Sequence, residues 1–343
     1  MSGRKRPSIT GAYRISCQEI LFEFVTRSIQ SPSTANQTIM PIYNMKPITS
    51  LFALVGAFVC LHILTDSAAS ANFTRTEDVI YGRKFGTALT LDVFEPEKKN
   101  GCAALFIVSG GFVSSHDGIS PASYSVFLER GYTVFAIVHA CQPKFQVPEI
   151  VHDIHRAVRY LRHHAQRWGI DTNKFGITGG SAGGHLSLTM GTQGGLGSAA
   201  AKDPIDRASS AVQAVACFFP PTDFLNWSEP GDNQVGIGKV GTQFKGAFGL
   251  RSKTAEGREE LGKEISPLNF VTVKMAPTLI IHGDADKLVP IYQAQMFERK
   301  ARQAGVPFEL IVREGKDHGW PGMEKDMAIF ADWFDEHLRG IKK

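Results

Sequence analysis

The sequence predicts an α/β architecture: a mostly parallel sheet of about eight strands with helices on both faces and a small cap-like insertion. Three observations predict it. From about residue 77 onward, short β-rich apolar runs alternate with longer stretches of helical period. Some runs, such as Ala104 to Val108, are apolar without alternation, the pattern of a strand buried on both faces. The segment 148–168 is amphipathic, with Ile150, Val151, Ile154, Ala157, Val158 and Leu161 at helical spacing and His152, His155, Arg156 and Arg159 opposite them.

In chain order, strands are expected near 77–83, 89–95, 103–109, 132–138, 175–178, 211–218, 278–282 and 307–313. Only Phe85-Gly86 separates the first two, so they form an antiparallel entry to the sheet. A last helix near 323–339 buries Met327, Phe330, Phe334 and Leu338. The stretch 225–267 is Gly- and Lys-rich, has no sustained period, and is too long for an ordinary connection. It therefore reads as a cap or substrate-site insertion within a single domain of residues 72–343.

The N-terminal portion follows another rule. Met45-Lys46 precedes the apolar run Leu51 to Leu64 and then Ala69-Ser70-Ala71, the layout of a signal peptide at 45–71 cleaved after Ala71. An uncleaved 51–64 segment acting as a membrane tether is the alternative. The run falls short of the roughly 20 apolar residues a spanning helix needs, is interrupted by His62 and is closed by Asp66. Residues 1–44 read as a disordered extension or an early-assigned start. The expected location is secreted or periplasmic, with no stable membrane insertion after cleavage.

Residues 1–71 carry six basic and three acidic side chains, so the formal charge of +4 falls to +1 without them. A near-neutral domain gives no electrostatic case for nucleic acid, which is bound by clustered Lys and Arg. Cys102, Cys141 and Cys217 stand among apolar residues with no C-x-x-C spacing and read as buried thiols. Cys102 and Cys141 are the pair whose separation decides whether a disulfide is available.

The chemistry centres on Phe175 to Met190, where a strand runs into Gly179-Gly180-Ser181-Ala182-Gly183 and then into a helix. This is G-x-S-x-G in a strand-turn-helix setting. Its glycines occupy positions where a Cβ would meet the neighbouring strand or helix, and the turn holds Ser181 Oγ above the sheet at a helix N-terminus, where the dipole favours developing negative charge. Downstream, the strand ending at His282-Gly283 releases into Asp284 and Asp286, and the last strand is followed by Asp317-His318. The order Ser, Asp, His is that expected of such a triad. His318 is the candidate general base and either carboxylate the candidate acid.

These motifs, Gly179 to His185, His282 to Pro290 and Asp317 to Trp320, resemble those of the α/β-hydrolase superfamily. The similarity is to its branch of acetyl esterases, feruloyl-esterase-like proteins and hormone-sensitive-lipase relatives, and it extends over residues 77–340. The resemblance implies that the acid is the carboxylate just before Val289-Pro290, which is Asp286. Many members carry His-Gly-Gly-Gly after the third strand; this chain has Ser109-Gly110-Gly111-Phe112. The oxyanion donors are expected to be the amide of Ala182 and that of Gly111 or Phe112. Phe112, Phe219, Trp227 and Trp320 are expected around the substrate pocket.

The leading expectation is an exported carboxylesterase-type serine hydrolase acting on a small acyl ester or acylated carbohydrate through an acyl-serine, a mechanism that requires no cofactor and no metal. A prolyl-oligopeptidase-like peptidase is a second reading, although too few residues precede the sheet for a propeller. A non-catalytic binding module is a third. His152 and His155 lack a metal-protease pattern, the Gly191 to Gly197 tract follows a helix rather than a strand, and His185 is expected to pack rather than react.

Overall fold

A computed structural model describes residues 72–342. Eight strands form one sheet in the order β1-β2-β4-β3-β5-β6-β7-β8: β1 (Phe73–Lys84), β2 (Thr87–Pro96), β3 (Ala103–Val108), β4 (Thr133–Val138), β5 (Phe175–Gly180), β6 (Ala214–Phe218), β7 (Thr278–Gly283) and β8 (Phe308–Arg313). β1 and β2 pair antiparallel, β2 meets β4 antiparallel, and every later pairing is parallel. The turn at Phe85 (φ 46°) and Gly86 (φ 74°) has positive φ at both residues, the two-residue geometry that matches strand twist.

The helices are α1 (Ser125–Glu129), α2 (Val147–His163), α3 (Ala182–Gln193), α4 (Gly238–Gln243), α5 (Lys245–Phe248), α6 (Ala255–Ile265), α7 (Tyr292–Gln303) and α8 (Met327–Arg339). Two apolar clusters lie on the two faces of the sheet. One gathers Ile150, Ile154 and Leu161 of α2, Leu186 of α3 and Phe297 of α7. The other gathers Phe127 of α1 with Phe330 and Phe334 of α8. Gly176 of β5 is required here, because a Cβ would come within 2.5 Å of the Phe334 ring. No helix among the described residues is long and apolar enough to cross a membrane.

Four details depart from the sequence reading or complete it. The helix at 148–168 ends at His163 and passes into a 3₁₀ turn over Ala165–Trp168. Asp153 of that helix is buried, held by Lys84 Nζ at 2.6 Å and the Ala140 N–H at 3.2 Å. The stretch 225–267 contains α4, α5 and the eleven-residue α6, which its weak periodicity concealed. Cys102 precedes β3 while Cys141 follows β4; the in-register parallel pairing of those strands puts the two at opposite edges of the sheet, too far apart to bridge. Burial pushes the Cys102 thiol up to about 11. The signal-peptide assignment and the reading of residues 1–44 lie outside the described residues.

Candidate active site

The parallel strands bring their C-terminal ends to one edge of the sheet, which in open α/β sheets is where ligands bind. Ser181 sits there, between β5 and α3, at φ 53° and ψ −119°. The strain of a non-glycine residue in this region is imposed by its neighbours. A Cβ on Gly179 would meet the backbone of Gly183 at 2.7 Å; one on Gly183 would meet Ile107 O at 2.7 Å; one on Gly184 would meet Phe218 O at 2.8 Å. Glycine at these positions lets α3 start directly against β3 and β6, and the turn has nowhere else to go. Gly180, by contrast, would find only ordinary contacts from 3.5 Å.

The structure brings Ser181, His318 and Asp286 together. Ser181 Oγ lies 2.9 Å from His318 Nε2, and His318 Nδ1 lies 2.7 Å from Asp286 Oδ2. Asp286 Oδ1 accepts the N–H groups of Leu288 at 2.8 Å and Val289 at 2.9 Å. Burial pushes the Asp286 carboxyl up, but hydrogen bonds from His282 and His318, the charge on His318 and the Val289 N–H outweigh it and hold the group well below the usual carboxylate range. Asp284, the other sequence candidate, is exposed and accepts the Gly315 N–H at 2.6 Å instead of facing His318.

One positioning group escaped the sequence reading, and two residues it named take another place. His282, taken only as a strand end, is fully buried; its Nε2 donates to Val289 O at 2.8 Å and lies 3.4 Å from Asp286 Oδ2. It thereby fixes the loop that carries the acid. Phe219, expected in the substrate pocket, packs at a tilt against the His318 imidazole with ring centroids 4.4 Å apart. Trp320, expected there too, packs on Phe218 and Phe219 and donates to Asp326, so both rings back the histidine.

The other two pocket candidates, Phe112 and Trp227, do line a cavity at Ser181. It measures about 20 Å³ and is walled by Gly111, Phe112, Ala182, Phe224, Phe244 and Phe248, with Trp227, Val240, Leu288 and Val289 beyond. On a measure where one water needs roughly 10–15 Å³, this holds one or two small groups. Phe244 and Phe248 come from the insertion, and a Cβ on Gly111 would collide with the Phe244 ring at 2.5 Å. Ala182 opens α3, so its N–H belongs to the first turn and has no carbonyl four residues back within the helix. Ala182 and the Gly111-Phe112 segment face the same cavity as Ser181.

His185, one turn past Ser181, takes no place in this constellation. It is fully buried between Phe112 and Phe224 and donates from Nε2 to Ile265 O at 2.7 Å. Burial drives its pKa down to about 4, so it stays neutral and ties α3 to the end of α6. His155 is bound to Ser210 Oγ at 2.8 Å.

Comparison with known proteins agrees with this geometry. The BD-FAE family model matches residues 91–301. The chain is 29% identical over 242 residues to esterase LipQ of Mycobacterium tuberculosis, covering 67% of this chain and 53% of that protein. It is 24% identical over 310 residues to ethyl acetate hydrolase of Pseudomonas putida, covering 82% of this chain and 94% of that one. Among solved structures, a truncated carbohydrate esterase from gut microbiota superimposes with a TM-score of 0.67 at 26% identity, covering 79% of this chain and 98% of that one. The chain spans about half the length of the mycobacterial relatives it matches.

Proposed function

The chain belongs to the BD-FAE family of α/β-hydrolase esterases, and from that premise we propose that it hydrolyses carboxylic esters of a small acyl group through an acyl-serine intermediate. The observation that carries this reading is the chain of hydrogen bonds from Ser181 through His318 to Asp286 at the mouth of a 20 Å³ apolar cavity. His318 Nε2 takes the Ser181 proton as Oγ attacks the ester carbonyl, and Asp286 holds Nδ1–H and stabilises the imidazolium. The carbonyl oxygen becomes an oxyanion received by the Ala182 N–H and the Gly111-Phe112 segment. Collapse breaks the ester bond, and His318 returns its proton to the departing alcohol. Water then attacks the acyl-serine by the same route and releases the acid.

The narrow, largely apolar cavity, lined in part by Phe244 and Phe248, supports a short acyl group. The likeness to ethyl acetate hydrolase supports a short acyl group, and the likeness to a carbohydrate esterase supports a sugar hydroxyl as the alcohol. The near-neutral domain sets up no electrostatic demand for a charged alcohol. The proposal includes export, with cleavage after Ala71, for which the run at 51–64 and Ala69-Ser70-Ala71 are the support. N-terminal sequencing of protein from its native host, reading Asn72 first, checks that part.

The activity is tested with residues 72–343 on p-nitrophenyl esters from acetyl to octanoyl and on acetylated oligosaccharides, beside Ser181→Ala. The reading requires acetate release by the wild type, loss in the variant, and a preference that falls steeply beyond propionyl. Equal inactivity of both proteins on every ester would overturn it.

A further inference from the structure

Gly111 and Phe112 both carry positive φ, 54° and 63°, and Phe112 has a side chain that makes this conformation unfavourable. Something outside the loop must hold it. The loop is closed on itself by Gly110 N–H to Val113 O at 3.0 Å and Val113 N–H to Gly110 O at 2.9 Å. The two carbonyls between are both taken by one residue of the segment after β4. Gln142 Nε2 donates to Gly111 O at 2.6 Å, and the Gln142 backbone N–H donates to Phe112 O at 3.2 Å. The side-chain assignment follows from chemistry, since a carbonyl can only accept and the amide nitrogen is the only donor Gln142 has there.

A trans peptide is planar, with its C=O and N–H pointing opposite ways. Holding Gly111 O towards Gln142 therefore turns the Phe112 N–H to the other side. Val113 N–H is already used, so the peptide between Gly111 and Phe112 is the one whose orientation Gln142 decides. The base of the loop is fixed separately. Ser109 Oγ lies 2.8 Å from His139 Nε2, and His139 Nδ1 donates to Ala140 O at 2.7 Å. Burial lowers the His139 pKa to about 4, which leaves Nε2 free to accept the Ser109 hydroxyl proton. The insertion presses on Gln142 from outside: a Cβ on Gly246 would stand 2.6 Å from its Oε1.

We infer that Gln142 is a positioning residue for the reaction, its amide fixing the Gly111-Phe112 peptide so that the Phe112 N–H serves as the second oxyanion donor. This rests on the serine esterase reading, and the role is transition-state-specific, because the oxyanion exists only after attack. In a family that commonly carries a histidine and a third glycine at these positions, Ser109 and Phe112 are accommodated here by His139 and Gln142 from the segment after β4.

The test uses Gln142→Glu, which keeps the shape but places an acceptor against a carbonyl, and Gln142→Met, which removes the donor without adding charge. Rates are expressed per folded molecule from the thermal-unfolding amplitude. The expected result is a fall in kcat for p-nitrophenyl acetate of about 10- to 100-fold, below the full loss of an oxyanion donor, with KM within about twofold. The Ki of an aryl boronic acid, whose Ser181 adduct presents an oxygen to the same donors, should rise by the same factor. Wild-type kcat and Ki in Gln142→Met would overturn the inference, as would a raised KM at unchanged kcat, which assigns Gln142 to substrate binding. Ser181→Ala is run alongside. If it retains activity, the esterase mechanism itself has failed; if it is inactive while both Gln142 variants match wild type, only this inference has.

Discussion

The elbow at Ser181 and the loop at Phe112 solve one problem in two ways. Each places a non-glycine residue at positive φ, 53° in one and 63° in the other, and each lines the same small cavity. The elbow is constrained from within, by Gly179, Gly183 and Gly184, whose absent Cβ atoms let β5, α3, β3 and β6 touch. The loop is constrained from without, by the Gln142 amide and backbone, by His139 and by the Phe244 ring. A locally enforced turn leaves a motif in the sequence. A remotely braced one leaves residues that look unremarkable until the fold assembles them.

The largest test of the elbow side is its proton relay. Asp286→Asn should lower kcat for p-nitrophenyl acetate by about 10³- to 10⁴-fold, because the amide cannot hold the Nδ1–H tautomer, while Asp284→Asn should stay within about twofold. Steady-state kinetics decide between the two carboxylates; equal losses would erase the distinction drawn from their partners. Next, Gly183→Ala sets a Cβ against Ile107 O on a buried strand that has little room to move, and should cost about 3 kcal/mol of stability or more. Gly180→Ala, with contacts no closer than 3.5 Å, should leave chemical-denaturation midpoints almost unchanged.

On the loop side, Phe244→Ala should move the acyl optimum from acetyl towards butyryl or hexanoyl, with about a tenfold gain in relative kcat/KM for the longer ester. No such shift would mean that Phe248 or Trp227, not Phe244, limits the cavity. A pH slope separates the buried histidines of both sides. His139, His155 and His185 are held neutral by burial, with pKa values near 4 in the folded chain against an ordinary value near 6.5. Between those values the unfolded chain binds protons that the folded chain does not, so stability falls as pH drops from about 6.5 towards 4. Each such histidine contributes about 1.4 kcal/mol per pH unit across that window. His185→Gln, able to keep a donor to Ile265 O, should flatten the slope by one proton in urea titrations at pH 4.5–6.5. The low Asp286 pKa acts lower: its stabilisation is complete above about pH 4 and is lost as pH falls further.

The strands were readable because burial on both faces demands continuous apolar runs, and all eight appear close to their expected positions. Ser181 and His318 were readable because each follows a strand end within a short motif, whereas the strand end offered Asp284 and Asp286 alike and only the family resemblance separated them. What was hidden depended on packing between distant segments. Phe219 and Trp320 are aromatic and near the edge, as expected, yet tertiary packing put them behind His318 rather than in the cavity. Helix α6 carries Glu and Lys at exposed positions around only a few buried residues, which left a weak periodic signal. Gln142 is a lone polar residue before a proline, and no spacing rule connects it to Gly111 thirty-one residues earlier.

The most direct measurement is the intact mass of residues 72–343 after brief exposure to an aryl fluorophosphonate, followed by peptide mapping, with His318→Ala as the comparison. The account predicts one adduct per molecule, mapped to Ser181, and labelling slowed by orders of magnitude without His318. Labelling at another residue, or equal labelling of both proteins, would contradict the assignment of Ser181 as a nucleophile activated by His318.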